Sequence, residues 1–298
     1  MRYDIRLRIN HDYPGAGGIG RHQIRVVPAD IPGRQALTVQ QLVVTPAAAE
    51  YITRKDFFGN STTMVMHDTA HSQMSIAMRS QVEIFPLSGN FDTSVTLNEL
   101  PREIASITSL SADAPHHFLG ASPRLPPNQD MAAYSRACVS PGMTTRDAVE
   151  AVGARLHADL AFDAQATTVE TPAAEAFAVR RGVCQDFTHI MIICLRSLGV
   201  PAAYVSGYLR TEPPPGQPRL EGADAMHAWV RAWCGKDAGW VEYDPTNAVE
   251  PASDHVVVAF GRDYDDIAPV QGILRSSGPN VSAQSVDVIP SASQVRNA

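Results

Sequence analysis

Three residues of this chain have the types and surroundings to do chemistry together: Cys184, His227 and Asp244. A thiol attacks as thiolate, and its ordinary pKa of about 8.5 falls at a helix N-terminus, where unpaired amide N–H groups and the macrodipole favour negative charge. Cys184 stands at such a position. From 185 to 198 the apolar side chains fall at 187, 190, 191, 194, 195 and 198, the spacing of one helix face. Gly199 and Pro201 supply the stop, and 202 to 209 reads as a strand interrupted by Gly207. Gly182 permits a tight bend just before the cysteine, and the free amides at the helix start could hold an oxyanion.

The partners come from a predicted hairpin. Residues 224 to 247 read as two strands around a turn from Gly235 to Gly239, with His227 opening the first strand and Asp244 ending the second. Antiparallel pairing brings those ends together, and the midpoint between 227 and 244 falls inside the turn, so the two are expected to be cross-strand neighbours. Alone in an apolar helix, a cysteine is ordinarily a small buried hydrophobe. With an imidazole to accept its proton and a carboxylate to orient the ring, it becomes the nucleophile of a thiol acyl-transfer enzyme.

The segments GVCQDFTH, LRSLGVPAAYVSGYL, DAMHAWV, GWVEYDPTN and DHVVVAFGRDYDD, in this order over about residues 170 to 275, strongly resemble bacterial proteins of the transglutaminase-like superfamily. Weaker similarity to that family's β-rich N-terminal domain reaches the start of the chain. The resemblance implies a papain-like core with Cys184 as nucleophile, His227 as general base and Asp244 as orienting carboxylate. It also lowers the alternative of a zinc site built from the same three residues. The expected reaction is hydrolysis of a peptide or amide bond through a thioester. Amide transfer to an amine and a non-catalytic binding protein with the same fold are the alternatives. No cofactor and no metal are expected.

Four further residues are candidates for contacting substrate or supporting the site: Gln185, Asp186, Trp229 and Arg262. Gln185 and Asp186 also make sense as first-turn polarity, an acidic group there complementing the helix dipole. Arg262 could anchor a carboxylate. His67 and His71 have a spacing compatible with metal ligation but lie between two predicted strands without companion carboxylates or cysteines. His116 and His117 read as loop residues. Asp263, Asp265 and Asp266 do not follow a calcium-loop spacing and read as capping and loop groups.

The elements that must hold these residues form an α+β protein. Period-two or β-branched runs at 2 to 9, 21 to 28, 36 to 45, 62 to 67 and 72 to 86 predict an N-terminal antiparallel β-sandwich over 1 to 87. A Ser-, Pro- and Asn-rich stretch over 88 to 127 reads as a connecting segment. The catalytic core is expected over 128 to 275, with helices near 129 to 138, 144 to 160 (opened by Thr144 or Thr145) and 172 to 180 before the nucleophile helix, which packs on an antiparallel sheet. The stretch 211 to 224 is a Pro- and Gly-rich surface loop, and 276 to 298 carries one strand-like run at 285 to 289 and a fraying end.

Composition excludes several classes. A chain of 298 residues with 44% hydrophobic content can bury a substantial core, and it has no apolar run long enough to span a bilayer. The first residues alternate charge and apolarity, unlike a signal peptide, so a cytoplasmic location is expected. A net charge of −7 argues against nucleic acid as a partner. With four cysteines, one of them the nucleophile, Cys138, Cys194 and Cys234 are expected to be reduced packing residues. The expected partner is a peptide or amide substrate, with no membrane association; the oligomeric state is open.

Overall fold

The computed structural model describes residues 1–17, 19–86, 91–211, 222, 224–274 and 281–291. The chain opens with six strands, β1 (Arg2–Gly17), β2 (Gly20–Ile24), β3 (Gln35–Thr45), β4 (Glu50–Lys55), β5 (Ser61–His67) and β6 (His71–Ile84). Helices α1 (Leu100–Ala105), α2 (Gln129–Arg136) and α3 (Thr145–Asp159) follow, then the two-residue strand β7 (Ala161–Phe162), α4 (Ala173–Val179) and its parallel mate β8 (Arg181–Gly182). The core continues with α5 (Cys184–Ser197), β9 (Ala202–Leu209), β10 (Ala225–Trp233), β11 (Trp240–Tyr243) and β12 (His255–Gly261). Helix α6 (Tyr264–Ile267) and strands β13 (Val270–Leu274) and β14 (Val281–Pro290) end it.

Two four-stranded sheets, ordered β14-β1-β6-β3 and β13-β2-β5-β4, make the sandwich, and a third, β11-β10-β9-β12, belongs to the core. Strict alternation builds the first sheet. On β1, Tyr3, Ile5, Leu7, Ile9 and Tyr13 are buried while Arg2, Arg6 and Arg8 face out, and β6 answers with Met74, Ile76, Met78, Val82 and Ile84. Strand β4 was not expected from the sequence: all six of its residues are exposed, so no alternation marks it, and it pairs only with β5 at a sheet edge.

The chain's local composition suggests cuts at 87, 127 and 275, but strand pairing does not follow them. Strand β13 pairs with β2 and β14 with β1, so both sandwich sheets are completed by segments that follow the core sheet in the chain. The physical reason is that an exposed strand edge is an unsatisfied row of N–H and C=O groups, and the returning chain supplies its partner. The strand-like run expected at 285 to 289 is longer, Val281–Pro290. The connecting segment also docks: it contains α1 and buries Leu100, Ile104, Phe118 and Leu125. Most of the loop expected over 211 to 224, and the fraying end beyond 291, lie outside the described residues.

In the core, α5 is buried at every residue from Gln185 to Leu195 because it packs on β10 and β9 and is ringed by α2, α3 and α4. Caps match the expected starts: the Asn128 side chain accepts from the Met131 N–H at 2.9 Å, and Thr144 rather than Thr145 caps α3 by accepting from the Asp147 N–H at 3.2 Å. Gly207 does not interrupt β9. Its missing side chain leaves room for the Trp229 indole, whose Cη2 would lie 2.3 Å from an added Cβ. Among the described residues no helix is long and apolar enough to cross a membrane.

Candidate active site

The nucleophile position is made by a sharp turn and a cap. Arg180, after α4, adopts φ 55°, a left-handed conformation unusual for a residue with a side chain, and its guanidinium lies 3.9 Å over the Phe177 ring. The chain then passes β8 and enters α5 with Cys184 as the first helical residue. Asp186 folds back so that its Oδ2 accepts from the Val183 N–H at 2.8 Å and from the Thr167 hydroxyl at 2.6 Å. Gly182 is needed for space rather than for an unusual φ: a Cβ there would meet Asp186 Oδ2 at 2.4 Å. The N–H groups of Asp186 and Phe187 reach the Val183 carbonyl, which leaves those of Cys184 and Gln185 without a partner among the described residues.

The hairpin supplies the other two groups. Its ladder runs Val230↔Tyr243 to Trp233↔Trp240, which sets Asp244 opposite Trp229 rather than opposite His227. His227 and Asp244 are therefore diagonal neighbours on one face, not the direct pair expected from the midpoint of the turn. The imidazole still reaches: His227 Nε2 donates to Asp244 Oδ2 at 2.7 Å, and the ring interacts electrostatically with Cys184. With Nε2 committed to the carboxylate, Nδ1 is the nitrogen left for the sulfur. All three residues are thus linked, with His227 and Asp244 buried and Cys184 half-buried.

Asp244 is the most heavily bonded carboxylate of the site. Oδ2 also accepts from Asn247 Nδ2 at 2.7 Å and His255 Nε2 at 3.2 Å, while Oδ1 accepts from the N–H groups of Thr246 at 2.9 Å and Asn247 at 3.3 Å. Burial alone would raise its pKa, but these donors and the His227 charge outweigh it and hold the carboxylate far below its usual range. For His227 the balance is opposite in sign: burial disfavours the charged ring, yet the hydrogen bond to Asp244 and the interaction with Cys184 win and raise its pKa to about 10. The other three thiols are pushed up by burial, Cys234 to about 12.

The remaining sequence candidates occupy distinct places. Gln185 donates to the Val169 carbonyl at 3.0 Å, tying the loop before α4 to the nucleophile's neighbour. Asp186 is the cap just described, with its pKa raised by burial. The Trp229 ring stacks against His227 with centroids 6.1 Å apart and donates its indole N–H to Glu242 at 2.6 Å. Arg262 is not brought to the cluster; its guanidinium pairs with Asp266 at 2.8 and 2.9 Å. Two participants were missed. His255 lies on β12, and only the sheet order β10-β9-β12 brings it to Asp244; Asn247 lies three residues beyond Asp244 in the DPTN turn. Donor atoms of His227, Asp244 and His255 all lie within 4.8 Å of one another, a set able to hold a divalent ion, although Asn247 Nδ2 already sits between the first two.

A helix-borne thiol facing a histidine and an aspartate on an antiparallel sheet, beside a β-sandwich, defines a transglutaminase-like protein with a papain-like core. Residues 132–245 match the family model of the transglutaminase-like superfamily core, and residues 3–83 that of the bacterial transglutaminase-like N-terminal region. The chain belongs to the transglutaminase-like superfamily. It is 34% identical over 263 residues to the uncharacterized protein Rv2569c of Mycobacterium tuberculosis, covering 86% of this chain and 83% of that one. It is 31% identical over 291 residues to the uncharacterized protein ML0607 of Mycobacterium leprae, covering 95% and 97%. A solved structure from Cytophaga hutchinsonii, assigned as a candidate cysteine protease, has the same fold: TM-score 0.72 at 19% identity, over 98% of this chain and 92% of that one.

Proposed function

We propose that the protein is a thiol-dependent hydrolase that cleaves a peptide or amide bond through a thioester on Cys184. The arrangement in which His227 hydrogen-bonds Asp244 and interacts with Cys184 at the start of α5 carries this reading. The thiol proton passes to His227 Nδ1, the sulfur attacks the carbonyl carbon, and the oxyanion is met by the free N–H groups of Cys184 and Gln185. His227 then protonates the leaving amine, and the carbonyl re-forms as a thioester. In the second half His227 takes a proton from water, hydroxide attacks the thioester, and the thiol is regenerated as the acid departs. Water is the favoured acceptor because no amine-donor site is recognisable among the described residues.

Rapid quench with an activated ester is expected to leave an acyl mass on the peptide containing Cys184. Limiting iodoacetamide should label Cys184 before Cys138, Cys194 and Cys234, and abolish turnover. Chelator should leave activity intact. Activity lost to chelator and restored by zinc, with no acyl adduct, would replace the thioester by metal chemistry at His227, Asp244 and His255. An adduct discharged only by added amines would make the enzyme a transferase instead.

A further inference from the structure

The sandwich brings together four histidines that lie far apart in the chain, giving His67 and His71 the companions they lack in the sequence. His11 and His71 come from the β14-β1-β6-β3 sheet, His22 and His67 from the facing β13-β2-β5-β4 sheet. The His67 and His71 rings are 4.7 Å apart between centroids, His22 and His67 6.5 Å, and Tyr13 bridges His11 and His71 at 6.4 and 5.7 Å. Each ring has one buried nitrogen without a hydrogen-bond partner among the described residues: Nε2 of His11, Nδ1 of His22, Nδ1 of His67 and Nε2 of His71. His22 is 6% exposed and His67 1%.

On three of the rings the opposite nitrogen is engaged. His67 Nε2 lies 2.9 Å from the Pro46 carbonyl, His71 Nδ1 3.0 Å from the Thr69 carbonyl, and His11 Nδ1 2.7 Å from the Ser282 hydroxyl. A carbonyl can only accept, so His67 and His71 must carry their proton on the engaged nitrogen, and the inward nitrogen keeps its lone pair. That is how metal-binding imidazoles are oriented by the groups around them. A purely packing role would not require rings from both sheets to leave four buried ring nitrogens without partners in one cluster.

We propose that the sandwich binds one late first-row divalent metal ion between His11, His22, His67 and His71. An all-imidazole donor set suits zinc, copper, nickel or cobalt and not the oxygen-seeking magnesium or calcium. The cluster is looser than a coordination shell, since no three of its donor atoms lie within 4.8 Å of one another. Binding at the usual zinc–nitrogen distance of about 2.0–2.1 Å therefore has to draw the rings inward and tie the two sheets together.

The test uses the full chain carrying Asp244→Asn, which removes the central carboxylate of the other histidine cluster. After incubation with Zn²⁺ and gel filtration, elemental analysis should find one equivalent retained, and Co²⁺ should give the visible absorption of a nitrogen-bound tetrahedral ion. Adding His71→Gln or His11→Gln, at the half-buried rim, should weaken retention by more than the about 10–100-fold that losing an outer-shell partner costs. Their circular dichroism should stay unchanged. Zn²⁺ should also raise the melting temperature of the Asp244→Asn protein and not that of the His71→Gln double variant. No retained ion in the Asp244→Asn protein, or retention unaffected by both histidine substitutions, overturns the proposal.

Discussion

Asp244 accepts from two imidazoles, one side-chain amide and two backbone N–H groups, and this surplus of donors decides how the site responds to pH. Because the folded-state pKa of His227, about 10, lies above its ordinary 6.5, its contribution to stability is complete below about 6.5 and is lost as pH rises through 10. Asp244, held below its ordinary 3.8, contributes above that value and loses its contribution as pH falls. The imidazolium that protonates the leaving amine should therefore disappear on an alkaline limb near pH 10. Asp244→Asn should lower turnover by about 10³–10⁴-fold and move that limb to lower pH, because burial of the ring is then opposed chiefly by Cys184 alone. His255→Gln should cost only about tenfold, the size of one hydrogen bond to a charged group at roughly 1.5 kcal/mol. A pH–rate profile of the three proteins checks all of this; a limb that stays in place in Asp244→Asn would deny the carboxylate its hold on His227. The grouping of Cys184, His227 and Asp244 into one candidate site was legible in the sequence because their types stand at a helix start and two strand ends that the fold brings together. His255 was not, because its place beside Asp244 depends on which strand flanks β9.

Helix α5 is anchored by a small set of contacts at its first turn, and the sequence showed their residues without showing how they fit. Gly182 reads as a bend, yet its function is to leave space for the Asp186 carboxylate returning to the Val183 N–H. Gly182→Ala should displace that carboxylate and cost about 1–2 kcal/mol, the worth of a helix cap, and Asp186→Ala should cost a similar amount. Both should also slow alkylation of Cys184, since the cap fixes the backbone on which the sulfur is carried. Melting temperatures and iodoacetamide rates on the two variants test this, and unchanged rates despite lower stability would separate the cap from the thiol. Periodicity announced β1 well, because one of its faces is buried against a neighbour, and α5 through the helical spacing of its apolar side chains, although the whole helix is buried from Gln185 to Leu195. It failed for β4, whose residues meet solvent on both sides, and for α1, which is only six residues long within a stretch rich in turn-formers. Register was the other miss: the turn located the hairpin, but a shift of two places in the ladder decided that Trp229, not His227, faces Asp244.

At the scale of the whole molecule, the sandwich supports the back of the candidate site. Gln35 acts as an extra peptide group, its Nε2 donating to the Val257 carbonyl at 2.8 Å while its Oε1 accepts from the Val257 N–H at 2.9 Å. Asn60 does the same for Phe260, with both bonds at 2.8 Å. These two amides clamp β12, the strand that carries His255, on either side of its irregular register near Val257. Next to them Arg34 forms a two-pronged ion pair with Glu242, whose Oε2 also accepts the Trp229 indole N–H, and the Trp229 ring stacks on His227. An arginine of the sandwich is thus three contacts away from the imidazole. None of this could be read locally, since residues 34 and 242 lie far apart in the chain and each alone resembles an ordinary surface charge. Burial raises the pKa of Glu242, but the Arg34 charge and its hydrogen bonds outweigh it and keep the group ionised. Arg34→Ala should therefore leave a buried carboxylate unpaired and cost about 3 kcal/mol, seen as a lower melting temperature. Turnover should fall with it as the Trp229 indole loses its fixed acceptor. Adding Glu242→Gln to Arg34→Ala removes the stranded charge while keeping an oxygen for the indole, so the double variant should recover most of the stability and part of the turnover. If Arg34→Ala alone behaves like a surface substitution, within about 0.5 kcal/mol, the ion pair does not couple the sandwich to the site. If the double variant is worse than the single, the pair matters through its charge rather than through the acceptor it offers Trp229.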